Sequence, residues 1–224
     1  PARHGMQATT ITLAELGATT AEMEFWMAAH AVPAEAIDRL VCAHTLEGAP
    51  RPALQPRQLN GMLKGFIDLV FEHEGRYYVA DYKSNWLGDT AGAYTAAAMR
   101  AEILRARYEL QYVLYLFALH RLLKARLRDY DYDRHVGGAV YLFLRGTQAP
   151  GQGVHVDKPP RRLIDELDAL FSRKGNGAAN YPHSVTEWQR GSQKSFSRPA
   201  EPSAEKRVIQ SNGGALTNLN ASTS

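Results

Sequence analysis

From Ala21 to Met27 the chain alternates Glu22, Glu24 and Trp26 with Met23, Phe25 and Met27, a period of two that predicts a first strand with one buried face. Pro33–His44 changes period: Ile37, Leu40 and Val41 fall on one helical face, and a proline at the start suits a first helical turn. Glu47–Pro56 reads as a proline-containing loop. Two apolar runs follow, Met62–His73 and Arg76–Ser84, joined by Glu74-Gly75, a two-residue reversal in which glycine supplies the positive φ. Tyr94–Leu127 has helical spacing with a break expected near Arg107, Gly138–Arg145 is an apolar strand, and Pro160–Phe171 is a closing helix with Leu163, Ile164, Leu167 and Leu170 on its inner face. Strands grouped early with helices packed on a mixed sheet make an α/β core.

The chemistry is concentrated in the expected hairpin. A two-residue loop at Glu74-Gly75 sets Asp68 directly opposite Asp81, and Lys83, two residues on, projects to the same side as Asp81. Like charges facing each other across a sheet are destabilising. A divalent cation with oxygen ligands would remove that cost, because Mg²⁺ takes one or two carboxylates together with phosphate oxygens. A nearby lysine could hold a phosphate or help to position a water. The pattern D…DxK is short, however, and taken alone it favours exposed strand carboxylates with Lys83 as their salt-bridge partner. The neighbours favour the cation: Phe66, Ile67, Leu69, Val70, Phe71, Tyr77, Tyr78 and Val79 make this a core hairpin, where carboxylates seldom go without a partner.

The chain has 224 residues, enough for one domain and some extra, and a net charge of +3. That charge is unevenly placed. From Ser172 onward seven Lys and Arg stand against three Glu, which leaves the preceding 171 residues nearly neutral. Within those residues Arg100, Arg105, Arg107, Arg121, Lys124, Arg126 and Arg128 crowd one helical region that holds only Glu102 and Glu109 as acids. Such a row is either a track for a phosphate backbone or a solvated helix face. The single cysteine, Cys42, excludes an intrachain disulfide framework and suits a reducing compartment. No apolar run reaches membrane-spanning length and no signal peptide is visible, so a soluble, cytoplasmic protein is expected.

Four blocks in order carry a closer likeness. Gly61-Met62-Leu63-Lys64-Gly65-Phe66-Ile67-Asp68-Leu69-Val70-Phe71, Tyr78-Val79-Ala80-Asp81-Tyr82-Lys83-Ser84-Asn85-Trp86-Leu87-Gly88, Tyr108-Glu109-Leu110-Gln111-Tyr112-Val113-Leu114-Tyr115 and Gly137–Gly146 resemble the nuclease domain of RecB-type helicase–nucleases (exodeoxyribonuclease V). These belong to the PD-(D/E)xK superfamily. The resemblance covers about Glu22 to Phe171 and implies a restriction-endonuclease-like fold, a mixed central sheet flanked by helices. Residue by residue, it implies that Asp68, Asp81 and the main-chain carbonyl of Tyr82 bind one Mg²⁺, that Lys83 is the catalytic lysine, and that Gln111 and Tyr115, as a QxxxY motif, help to position DNA. Gln111 and Tyr115 are four apart and share a helical face in any case. The implied partners are single DNA strands from an unwound duplex, RecC-like and RecD-like subunits, and the RecA recombinase. The implied setting is double-strand break repair and homologous recombination.

One feature departs from that family. Its members carry a further histidine ligand upstream, in a block like G-T-x-x-H, and none precedes Glu22 here. His4 has different neighbours, while His30, His44 and His73 read as surface or loop residues. No G-x-x-x-x-G-K-[ST] phosphate loop is present for an ATP-driven motor. The expected organisation is therefore a C-terminal fragment: a truncated lead-in at 1–19, a nuclease domain at 20–171, and a disordered low-complexity tail at 172–224, where Ser, Gly, Asn, Pro and Ala leave little apolar surface to bury. The alternative to an active nuclease is a catalytically incomplete module that docks proteins or binds DNA.

Overall fold

The computed structural model describes residues 18–149 and 151–172, together with the backbone of three short strands outside them. In chain order the elements are β1 (Ala8–Thr12), β2 (Thr19–Pro33), α1 (Ala34–His44), β3 (Gln58–His73), β4 (Arg76–Lys83), α2 (Ala96–Ala106) and α3 (Tyr108–Arg126). There follow α4 (Tyr132–His135), β5 (Val136–Phe143), β6 (Val154–Asp157), α5 (Arg161–Phe171), β7 (Arg207–Asn212) and β8 (Ala215–Ala221).

The β3–β4 hairpin forms as its turn demands. Glu74 and Gly75 have φ of 51° and 76°, the two positive values of a type I′ turn, whose twist matches that of the flanking strands. The register follows: His73 faces Arg76, Phe71 faces Tyr78, and Leu69 faces Ala80. The hairpin is the middle of a five-stranded sheet in the order β2-β3-β4-β5-β6. Neighbours are antiparallel except β4 and β5, which run parallel. A parallel pair needs a long crossover, and here it is supplied by α2, α3 and α4. The sheet is therefore mixed and flanked by helices, as expected.

One sheet face carries the main core. Phe25, Met27, Ile67, Val79, Tyr141 and Phe143 pack there with Met99 and Ile103 of α2, Tyr112, Leu116 and Leu119 of α3, and Leu163 and Leu167 of α5. A smaller cluster of Phe71, Tyr78, Ala80, Val140, Leu142 and Val154 occupies the other face. Gly65 leaves room for the ring of Phe25, its partner on β2. The Phe25 ring comes within 2.4 Å of where a Cβ on residue 65 would stand, so any side chain there would displace it.

The expected helix break occurs at Arg107, which takes the left-handed conformation (φ 58°, ψ 36°) between α2 and α3. A non-glycine residue there costs about 1–2 kcal/mol. The cost is offset by the side chain, whose guanidinium reaches Asp38 of α1 at 2.5 Å and Glu109 at 2.6 Å and also donates to the Pro52 carbonyl. Arg107 thus fixes the direction in which α3 leaves, and so the direction of its first turns.

The main departures are in strand length and in short elements. The first strand runs to Pro33 rather than Met27, β3 likewise starts at Gln58 rather than Met62, and α4 and β6 were not expected, being one turn and four residues long. Within the segment expected to be a disordered tail, β7 and β8 pair antiparallel, and β7 also pairs with β1. The rest of that expectation, 173–206 in particular, lies outside the described residues, as does His4. Among the described residues no helix is long and apolar enough to cross a membrane.

Candidate active site

The β3–β4 ladder stops at Leu69 and Ala80. One step further, Asp68 would face Asp81. Instead the Tyr82 N–H donates to Asp68 Oδ2 at 3.0 Å, so a carboxylate takes the place of a main-chain carbonyl. On the other side of β3, Glu22, which would face Asp68, has φ of 50°. The strands diverge here because β3 goes on with β2 while β4 follows β5, pairing Asp81 with Tyr141, Tyr82 with Leu142 and Lys83 with Phe143. A gap between diverging strands, with an aspartate on each lip, is the result.

Asp81 and Lys83 share the inner side of that gap. They are 4% and 8% exposed, and Lys83 Nζ lies 2.5 Å from Asp81 Oδ2. Burial pushes the Asp81 carboxyl above the usual carboxylate range; the Lys83 ammonium opposes that push and the Asp68 charge adds to it. A cation beside these carboxylates would relieve both the burial and the repulsion. Among the described residues no group of three or more His, Cys, Asp or Glu gathers into a cation-binding cluster. Asp68 and Asp81 themselves offer carboxylate oxygens, the ligand type that hard divalent cations take. On chemistry and placement the residues fit such an ion.

The first turns of α3 complete the arrangement. Lys83 Nζ donates to Gln111 Oε1 at 2.8 Å, and the same oxygen accepts from the Tyr141 hydroxyl at 2.7 Å. Two donors on one atom fix which end of the amide is oxygen, so Nε2 is free to donate to the Tyr115 hydroxyl at 2.8 Å. The Tyr108 and Tyr141 rings lie 4.0 and 4.7 Å from the Lys83 ammonium, and their faces attract it. Tyr115 packs edge-on against Phe25 at 5.8 Å. Its hydroxyl is pushed up by burial, with Asp81 and Asp68 adding to the shift.

The sequence profile of the PD-(D/E)XK nuclease superfamily matches residues 7–196. The chain belongs to that superfamily. It is 47% identical over 169 residues to the RecBCD enzyme subunit RecB of Escherichia coli K12, covering 73% of this chain and 14% of that protein. Against the RecB subunit of Haemophilus influenzae the identity is 45% over 154 residues, 67% of this chain and 12% of the relative. The Mycobacterium tuberculosis H37Rv subunit is 42% identical over 129 residues, 54% and 12% of the two chains. The chain thus spans about a seventh or less of the length of the relatives it matches. Enzymes of the PD-(D/E)XK superfamily generally use divalent metal ions.

The side chains singled out in the sequence lie together here: Asp68 and Asp81 on the two lips, Lys83 beside Asp81, Gln111 bonded to Lys83, and Tyr115 bonded to Gln111. The histidines do not come with them. His30 is exposed, His44 approaches Glu166 at 3.5 Å, and His73 approaches Glu74 at 3.8 Å. The row of cations on α2 and α3 is largely neutralised within the molecule. Arg100 pairs with Glu47, Arg105 with Glu102, Arg107 with Asp38 and Glu109, and Arg121 and Lys124 with Asp168. Several of these pairs stand in solvent, with the Arg105 and Lys124 side chains well exposed.

Tyr108 and Tyr141 escaped the sequence reading. Tyr108 lies three residues before Gln111, one turn away on the same face, which is a usable signal. Tyr141 lies within an apolar strand and reads as core; only the parallel pairing of β5 with β4 brings it to the site. Tyr141→Phe keeps the ring and removes one donor to Gln111. Loss of one such bond should slow strand cleavage at saturating DNA by roughly threefold to tenfold, with KM unchanged. Cleavage at the wild-type rate would show that Gln111 needs no second donor.

Proposed function

We propose that this chain is the nuclease domain of a RecB-type helicase–nuclease and that it hydrolyses phosphodiester bonds in single DNA strands with one Mg²⁺ at the lips of the β3–β4 gap. The observation that carries this reading is the trio itself, two carboxylates on diverging strands with a buried ammonium 2.5 Å from one of them, in a chain of this superfamily. Asp68, Asp81 and the main-chain carbonyl of Tyr82 would hold the ion. When bound, it supplies charge neutralisation at the scissile phosphate and a lowered pKa for the attacking water. Lys83 stabilises the negative charge that develops on the phosphate. Gln111 holds the Lys83 ammonium in place, and Gln111 and Tyr115 together position the strand. The whole protein would receive strands from an unwound duplex, assemble with RecC-like and RecD-like subunits, load RecA, and act in double-strand break repair and recombination in the cytoplasm.

The absence of a third His, Cys, Asp or Glu from the site, among the described residues, favours a second reading. In it the domain is catalytically incomplete and serves to dock proteins or DNA. Incubating the purified chain with a labelled single-stranded oligonucleotide separates the two. Shortening of the oligonucleotide in Mg²⁺, stopped by EDTA, is the expected result. No cleavage by this chain, or by one extended upstream, would leave only the docking role.

A further inference from the structure

Asp68 lies at the end of an uncommon surface. The paired strands β2 and β3 continue beyond the gap as a two-stranded ribbon in which Phe25 and Met27 turn into the core, 5% and 3% exposed. The residues between them turn outward. On that outer side Trp26 faces Lys64, Glu24 faces Phe66, and Ala28 faces Met62. Trp26, Phe66 and Met62 are 44%, 51% and 57% exposed, three of the most exposed large apolar side chains among the described residues. Lys64 lies over both rings, its Nζ 4.8 Å from the Trp26 centroid and 5.0 Å from that of Phe66, and it pairs with Glu24 at 2.8 Å.

Scattered exposed apolar residues are ordinary, but two aromatic rings and a methionine gathered on one ribbon face mark a surface that binds something. Three observations point to what. The rings are about half exposed and share a cation that lies over one face of each, a combination of aromatic side chains and positive charge that proteins use to hold unpaired bases and their phosphates without regard to sequence. The strip carries one positive and one negative side chain, so it offers stacking rather than a strong charge. Finally, Phe66 stands two residues before Asp68, roughly 7 Å along the strand, about the span of one extended nucleotide step.

We propose that Trp26, Lys64 and Phe66 form a stacking platform for the bases of a single DNA strand and pass that strand toward Asp68. The proposal rests on the nuclease reading and adds to it a binding site away from the reacting phosphate. Stacking on Trp26 and Phe66 supplies affinity, and Lys64, released from Glu24, meets the backbone. A flat surface of this kind accepts any base, whereas duplex DNA, with its bases already stacked, has nothing to offer it.

The test is equilibrium binding of a fluorescent single-stranded oligonucleotide to the 224-residue chain in Ca²⁺, with a second oligonucleotide in which a central run is abasic. Trp26→Ala and Phe66→Ala should each weaken binding of the normal strand on the order of tenfold. Trp26→Phe should retain most of the affinity. The abasic strand should bind the wild-type chain weakly and be insensitive to either substitution. Unchanged affinity in both alanine variants overturns the proposal. Equal losses for normal and abasic strands also overturn it, since the rings would then not be touching bases. Because binding is read without cleavage, an inactive site would leave this result intact, and a failed platform would leave the cleavage assay unaffected at high DNA concentration.

Discussion

Asp81→Ala should abolish metal-dependent nicking of single-stranded DNA, with a loss on the order of 10³-fold or more. A bound cation supplies several kcal/mol of charge stabilisation at the transition state, and each 1.4 kcal/mol is about a factor of ten. Asp81 is the more sensitive of the two carboxylates because it is nearly fully buried and touches Lys83 directly. Removing it also leaves a buried ammonium without its counter-charge, which by itself can unfold a domain. Here Gln111 Oε1 and the two tyrosine rings still contact Lys83, so the fold should survive. Asp81→Asn separates the effects, since it keeps the volume and an oxygen for Lys83 while losing the charge. Both variants should be inactive, and the alanine one should lose more thermal stability. Full nicking activity in Asp81→Asn would remove Asp81 from the site.

Lys83→Ala should act on rate and not on affinity. The ammonium is held by Asp81, Gln111 and two ring faces, and so is placed before DNA arrives. A group organised in this way stabilises charge as it develops, and losing one such donor typically costs on the order of 10²-fold or more in rate. Lys83 also opposes the burial that raises the Asp81 carboxyl, so its loss leaves Asp81 easier to protonate. Rates are to be compared at saturating Mg²⁺. Single-turnover cleavage there should be slow while the Kd for DNA stays within about twofold of the wild-type value. Parallel losses in both would make Lys83 a phosphate clamp.

Much of this site can be read from the chain because its geometry is local. Glu74-Gly75 sets the register of the hairpin, the register brings Asp68 and Asp81 to the end of the ladder, one step beyond Leu69 and Ala80, and the period of two puts Lys83 on the same side as Asp81. The helix break at Arg107 shows as a change of spacing, and Gln111 and Tyr115 share a face by their separation alone. What escaped depends on contacts between distant segments. Tyr141 reaches Gln111 only through the parallel pairing of β5 with β4, a crossover of more than fifty residues. The arginines of α2 and α3 look unpaired in sequence because Asp38, Glu47 and Asp168 come from other elements. The strands also part at Asp68, which no pattern announces: the Asp68 carboxylate bonds to the Tyr82 N–H where an unbroken ladder would set it against Asp81. The short elements α4 and β6 fall below the length at which periodicity is visible.

The central claim is that Asp68 and Asp81 hold one divalent cation between them. Titration of the chain with Mn²⁺, followed by the electron paramagnetic resonance signal of the free ion, counts the bound ions directly. One saturable site is expected in the wild-type protein, displaced by excess Mg²⁺ and lost in both Asp68→Ala and Asp81→Asn. Undiminished binding of Mn²⁺ in both variants would contradict it.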